Sequence, residues 1–278
     1  MKNNNFVIEL WNAINYSWKK SFSIATYIIA AISTFMTIVG VSLHNICSLS
    51  IIILLIITLF LYLLLTLIIR YLLSKKQVYS IKARKNNVII KSGDIFNEKG
   101  LILIPFNEYY DTKVDDIIIS SNSLNGKLLK NFDIDIDDLN EAIMNSKDPK
   151  NLPRKKTNRG FKFPLGRIIK YKNYLLLSFS HFDDDNVAQI TRIEYEQCLI
   201  TMWKELRRTY NGETIVLPLI GSGITSFTDL TEKSNIDLLK CMICTLKFSK
   251  EQFQSDIKIV VKSEVWDDLN LVNNIIEL

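Results

Sequence analysis

The sequence predicts an N-terminal two-helix transmembrane hairpin followed by a cytoplasmic α/β domain, a mixed sheet with helices on both faces. Three observations carry this. Residues 23–69 contain no Asp, Glu, Lys or Arg. The basic excess of the chain flanks that block. From Lys75 onward, short apolar runs of strand length alternate with longer runs of helical period.

Composition narrows the classes first. At 278 residues the chain is one to two domains. It is 48% hydrophobic with a mean hydropathy of +0.13, too apolar for a disordered chain. Four cysteines are too few for a disulfide scaffold. The net charge of +5 hints at nucleic acid until it is divided. Residues 1–22 carry Lys2, Lys19 and Lys20 against Glu9, and residues 70–85 carry six Lys/Arg and no acid. The remaining 193 residues hold 25 basic and 28 acidic side chains, so the cytoplasmic domain offers no general basic surface and no nucleic-acid partner is expected.

Taken in order, residues 1–22 form an N-terminal cytoplasmic segment. Within it, Phe6, Leu10, Trp11, Ile14 and Trp18 have the spacing of an interfacial amphipathic helix. The membrane region is 23–73. Its two spans, 24–43 and 49–69, are long enough at about 1.5 Å per residue to cross a hydrocarbon core of about 30 Å. Ala30, Ala31, Ser33, Thr34, Thr37, Gly40 and Ser42 allow close helix approach in the first. The second is nearly all Ile and Leu and reads as lipid-facing. The polar stretch from His44 to Ser48 is the turn. Lys19, Lys20 and the 70–85 cluster place both flanks, and hence both termini, in the cytoplasm, making a two-span cell-membrane protein in contact with lipid.

Residues 74–278 form the second domain. Strands are expected at 78–81, 88–90 and 101–104, helices at 124–132 and 136–144, and a hairpin at 167–171 and 174–180. A helix over 190–210 ends at Asn211-Gly212. A buried strand at 215–220, a helix at 236–248, a strand at 257–261 and a last helix at 265–276 follow. Strands separated by helices of crossover length imply a parallel or mixed sheet.

Two motifs carry chemistry. Ser92-Gly93-Asp94-Ile95 follows an apolar strand, where it is either a plain turn or an acidic group at the ligand-binding end of an α/β sheet. The run from Leu217 to Phe227 leads a buried strand into Gly221-Ser222-Gly223-Ile224-Thr225. It is either a strand-to-helix turn or a phosphate cradle of backbone N–H groups, with Ser222 and Thr225 adding hydroxyls and Phe227 a stacking ring. It lacks a Walker lysine. Cys241 and Cys244 have CxxC spacing without a second pair and read as core. His181, before three aspartates, reads as a surface loop. The stretch 154–172, with eight Lys/Arg and no acid, reads as a solvated loop or a contact for phosphate or anionic lipid. No metal cluster and no catalytic Ser/His/Asp set is legible.

Together the two motifs resemble the macro domain, whose Gly-Asp-Ile element recognises adenine and whose late Gly-x-Gly-Ile loop holds a diphosphate and distal ribose. The resemblance places Asp94 and Ile95 at the adenine end, Gly221, Ser222, Gly223, Ile224, Thr225 and Phe227 at the phosphate loop, and Asn107 near the distal ribose. It departs at Tyr109–Asp116, where the usual glycine-rich first phosphate loop is missing, and at Thr225, which replaces a common aromatic. Two spans before such a domain resemble the membrane-bound macro-domain effectors of Thoeris anti-phage systems. That resemblance implies a macro-like α/β/α fold and no catalysis. It implies an ADP-ribose-derived ligand made from NAD by a partner TIR-domain enzyme, a histidine-conjugated ADP-ribose among the candidates. It further implies homo-oligomers and abortive infection through membrane damage. Alternatives are a membrane-anchored ADP-ribosyl hydrolase and a passive ADP-ribose-binding module.

Overall fold

A computed structural model describes residues 18–38, 48–74, 77–132, 134–148, 152–183, 187–269 and 271. The expected amphipathic segment before Trp18 and the turn from His44 to Cys47 lie outside these residues. The chain divides into two units, with residues 1–77 in the first and 78–269 in the second.

The first unit contains α1 (Trp18–Ile38) and α2 (Ser48–Ser74). Both begin or end beyond the expected spans. No Gly or Pro interrupts the flanks, so the helix continues through Lys19 and Lys20 in α1 and past Ile69 in α2. The pair meets through small or hydroxylated residues: Ser21, Ala25 and Thr66 are fully buried. Phe22 stacks on Tyr62 with ring centroids 5.8 Å apart, and the Thr26 and Tyr62 hydroxyls lie 3.1 Å apart. Thr26, Thr34 and Thr66 each donate to the carbonyl four residues back, at 2.8, 2.9 and 2.8 Å, so these hydroxyls are satisfied within their own helices. Elsewhere large apolar side chains are exposed, among them Tyr27, Phe35, Ile56 and Phe60. Among the described residues no helix is long and apolar enough to cross a membrane.

The second unit is built on a nine-stranded mixed sheet. Its strands are β1 (Val78–Ala83), β2 (Asn86–Ser92), β3 (Leu101–Asn107), β6 (Ile168–Tyr171), β7 (Tyr174–Phe182), β8 (Ala188–Ile190), β9 (Ile215–Pro218), β10 (Ser226–Phe227) and β11 (Ile257–Val261). A separate hairpin joins β4 (Lys155–Thr157) to β5 (Gly160–Lys162). The sheet order is β1-β2-β11-β9-β3-β7-β8-β10, with β6 on β7. The run β2-β11-β9-β3-β7 is parallel, β1 pairs antiparallel with β2, β6 and β8 pair antiparallel with β7, and β10 is parallel to β8. The central strands are apolar throughout because both faces are covered.

One face packs under α3 (Leu124–Asn131) and α4 (Ile136–Met144), through Leu128, Leu139 and Ile143 against Ile104 and Phe106. The other carries α5 (Arg192–Thr209) and α6 (Asn235–Ser249), joined by the buried Trp203, whose Nε1 donates to Thr245 Oγ1 at 3.0 Å. The sequence expectation of an α/β/α layering thus holds. It missed β4, β5, β8 and β10, which are two or three residues long and carry no period. The expected last helix starts early, as α7 (Ser263–Trp266), and tightens into a 3-10 turn at Asp267–Leu269. Residues 270 and 272–278 lie outside the described residues.

Candidate functional site

The five parallel strands point the same way, and a cavity of about 780 Å³ opens at their carboxyl ends. That is where open α/β sheets bind ligands. Its wall is assembled from the segments that follow β2, β3, β9 and β11, the end of β7, and the start of α3.

At the β2 end, Gly93 donates its N–H to Val261 O at 2.9 Å. Asp94 is exposed, and its Oδ1 accepts from Phe96 N at 3.1 Å, capping the turn Ile95–Asn97. Ile95 is buried in the core below it. The carboxylate of Asp94 therefore has one structural partner while lining the cavity.

Asn107 ends β3 and is only 2% exposed. Its Oδ1 accepts from Tyr109 N at 3.0 Å and Asp111 N at 3.2 Å, and its Nδ2 donates to Asp111 Oδ2 at 2.8 Å. Arg159 Nη2 donates to the same Asp111 oxygen at 2.9 Å, with its guanidinium over the Tyr109 ring. Tyr110 is buried at a left-handed φ of 53°, and its hydroxyl donates to Arg167 O at 2.8 Å. Further on, Asp115 Oδ1 accepts from Ile117 N at 3.0 Å and Ile118 N at 2.7 Å, and Asp116 Oδ1 accepts from Ser121 N at 2.6 Å. The Ile118 amide above all, with Lys113, holds the Asp115 carboxyl down at about 2. In this loop the chain's own carboxylates occupy the amide donors of Ile117, Ile118 and Ser121.

After β9, Gly221 adopts φ +87°, and a Cβ there would lie 3.3 Å from the Tyr195 ring. Ser222 Oγ donates to Leu219 O at 2.7 Å, so its hydroxyl hydrogen turns back to the chain. Gly223 has open space where a Cβ would stand. Ile224 is exposed at the mouth and Thr225 is buried. Lys233 Nζ reaches the carbonyls of Gly223 and Thr225, and burial lowers its pKa. The cavity brings together Asp94, Ile95, Asn107, Gly221, Ser222, Gly223, Ile224 and Thr225. Phe227 is corrected: it is 9% exposed, packs edge-to-face on Tyr195 at 5.3 Å, and is absent from the lining. In β10 its ring fills the space between α5 and the sheet instead of the ligand side.

His181 is the second correction. It belongs to β7, with Nδ1 2.6 Å from Glu108 Oε2 and Nε2 3.1 Å from Glu194 Oε1. The Glu108 hydrogen bond raises its pKa against the opposing effect of burial. Lys162 Nζ lies 2.9 Å from the same Glu108 oxygen. Burial alone would raise the Glu108 pKa, but His181 and Lys162 together bring it below the usual carboxylate value. The run of three aspartates hid this from the sequence. Lys233 was missed for a similar reason: nothing local marks a lysine whose partners are carbonyls eight and ten residues earlier.

The basic stretch is largely neutralised. Arg154 and Arg167 pair with Asp148, Arg159 with Asp111, Lys162 with Glu108, and Lys170 with Glu213. Fully buried Arg167 also donates to Ser146 Oγ, Lys147 O and Leu152 O, which holds those three residues in place. Among the described residues no group of His, Cys, Asp and Glu could hold a metal. Cys244 is exposed rather than in the core, and Cys241 is half-buried.

Residues 88–262 match the family model described as Thoeris protein ThsA, Macro domain. The chain belongs to that family. The matched stretch runs from β2 to just past β11 and contains every expected site residue. A curated relative, the Thoeris protein ThsA of Bacillus amyloliquefaciens (strain Y2), is 34% identical over 184 residues. The match spans 63% of this chain and 62% of that ThsA protein, less than two thirds of its length. Among solved structures, a variant of the Oceanobacillus iheyensis macrodomain with ADPR aligns at 13% identity over 72% of this chain and 100% of its own, with a TM-score of 0.48. The same macrodomain with ADP aligns at 13% identity over 72% and 97%, with a TM-score of 0.44.

Proposed function

We propose that this chain is a signal-gated effector of a Thoeris anti-phage system: its cavity binds an ADP-ribose-derived nucleotide and its two N-terminal helices then disrupt the cell membrane. The observation that carries the binding step is the convergence of Asp94, Asn107 and the Gly221–Thr225 loop on one cavity at the carboxyl ends of parallel strands. An acidic acceptor at one end suits an exocyclic amine. A glycine-containing loop at the other presents backbone N–H groups to a diphosphate. Binding without turnover is favoured because the Asn107 amide is committed to its own loop by three hydrogen bonds.

The membrane step is supported by a sequence with no charge between residues 23 and 69 and by the large apolar side chains exposed on α1 and α2. Uncharged spans make no pore as one hairpin, so the active form is a homo-oligomer. A partner TIR-domain enzyme supplies the nucleotide from NAD, and both termini face the cytoplasm, where that signal arises. To act as a switch, the nucleotide must bind the active state more tightly than the resting one.

Calorimetry of the full chain in detergent with ADP-ribose and its conjugates tests the first step, with 1:1 saturable binding and no turnover expected. Dye-loaded liposomes test the second. Leakage that is the same with and without the nucleotide would overturn the effector reading.

A further inference from the structure

The cavity wall contains an irregularity with a charged cluster attached. Along the β3–β7 pair, Phe106 faces Ser178 but Asn107 faces Ser180, so β7 carries one extra residue there. Such a bulge re-aims the side chains around it. Asn107, Ser180 and Phe182 line the cavity, whereas their neighbours Glu108 and His181 contact each other instead.

The His181 ring has a carboxylate oxygen opposite each nitrogen. Ionised carboxylates only accept hydrogen bonds, so both contacts are satisfied only when both nitrogens carry protons. Glu108 is 2% exposed, and a carboxylate that buried needs its charge matched. His181 and Lys162 match it from β7 and β5. Glu194 is itself fixed: its Oε2 accepts from Thr191 N at 2.9 Å and Thr191 Oγ1 at 2.7 Å, closing the N-terminal box of α5.

We propose that His181 is a positioning residue: as an imidazolium between Glu108 and Glu194 it locks the end of β3 to the bulged strand β7 and to α5, and so fixes the place of Asn107 and its loop in the wall of the nucleotide cavity. The charged groups that face it among the described residues are Glu108, the residue after β3, and Glu194 from α5, with Lys162 from β5 on the Glu108 oxygen. Asp183, just past the end of β7, accepts from Val187 N and Gln189 Nε2. The proposal rests on the nucleotide-binding reading of the cavity.

The test uses the full chain in detergent. ADP-ribose has no group that titrates near neutrality, so a pH dependence of its affinity belongs to the protein. Calorimetry from pH 6 to pH 9 is expected to show affinity falling by roughly two- to thirtyfold as His181 loses its proton. His181→Gln should bind at the weakened level throughout, and His181→Arg should restore tight binding with a flat profile. A flat wild-type profile, or His181→Gln binding with unchanged affinity, overturns the proposal. NMR titration of the imidazoles, with His181→Gln assigning the signal, provides a ligand-independent readout. His181 should titrate above the usual histidine value, and Glu108→Gln should lower it. If it titrates at or below that value, the clamp is wrong whether or not nucleotide binds. If it titrates high while wild type binds no ADP-ribose at any pH, the nucleotide reading fails, and with it the part of the proposal that concerns the ligand.

Discussion

Lys233 donates from Nζ to the carbonyl oxygen of Gly223 at 2.7 Å and to that of Thr225 at 3.2 Å. Within one planar peptide unit the C=O and N–H point in opposite directions. Tying Gly223 O to Lys233 therefore turns Ile224 N–H the other way. Lys233 is half-buried, and burial lowers its pKa, a cost of bringing a cation to two backbone dipoles.

Lys233→Met should free those carbonyls and let the loop rotate. ADP-ribose affinity is expected to drop roughly two- to thirtyfold, with a loss of thermal stability of only about 1 kcal/mol. Calorimetry and a melt of the same sample separate the two. Unchanged affinity would remove Lys233 from the binding loop's support.

The two loop glycines should behave differently. Gly221 stands at φ +87° against the Tyr195 ring, so Gly221→Ala should cost about 1–2 kcal/mol, seen as a Tm fall of about 2–8 °C. Gly223 meets open space. Gly223→Val is expected to leave Tm almost unchanged and to abolish nucleotide binding by placing its side chain in the cavity.

Asp94 separates cap from contact. Asp94→Asn keeps an acceptor for Phe96 N and should hold the turn, while weakening binding of an amine-bearing base. Asp94→Ala loses both, with a stability loss of about 1 kcal/mol. If both variants bind ADP-ribose like wild type, the base lies elsewhere.

Arg167 is a packing test outside the cavity. Its guanidinium lies over Phe163, pairs with Asp148, and holds three further acceptors. Arg167→Met should destabilise the second unit by about 2–3 kcal/mol, measured by urea titration, and Arg167→Lys should not recover it because one ammonium cannot reach the forked set.

Stability should also peak in a defined pH window. Asp115, Glu108 and Glu98 have lowered pKa values, so their contributions are full above the unfolded carboxylate range and fade as pH falls. His181 has a raised pKa, so its contribution is full below the unfolded histidine value and fades as pH rises through the folded one. A melt series is expected to be flat between about pH 5 and pH 6.5 and to decline on both sides. His181→Gln should remove the alkaline decline and, because Glu108 loses its His181 partner, soften the acid one.

Long or strongly apolar elements were legible in the sequence, and relations between distant residues were not. The 257–261 strand and the 136–144 helix were predicted to the residue because their apolar runs are bounded on both sides by polar residues. The helix over 190–210 was found, although its Thr191–Glu194 box was not noticed. The strand–loop glycines and Asp94 were visible because backbone chemistry restricts which residues serve at a sheet's carboxyl edge. Phe227 was misjudged because an aromatic beside a loop is equally suited to ligand or core, and here Tyr195 supplied the core partner. His181 was misjudged because its partners, 73 residues before and 13 after, are brought to it only by the sheet and α5.

The carboxylates of Asp115 and Asp116 on the amides of Ile117, Ile118 and Ser121 have a thermodynamic consequence. A loop that waits for a phosphate to satisfy its amides must freeze when the ligand arrives and lose conformational entropy at that moment. This loop's amides are already satisfied by its own carboxylates, so that wall needs no ligand to order it. Association should therefore show little of the slow, unfavourable ordering typical of induced closure, and heats of binding should change little on shortening the Asp115–Ser121 segment's freedom further, for example with a proline compatible with its φ.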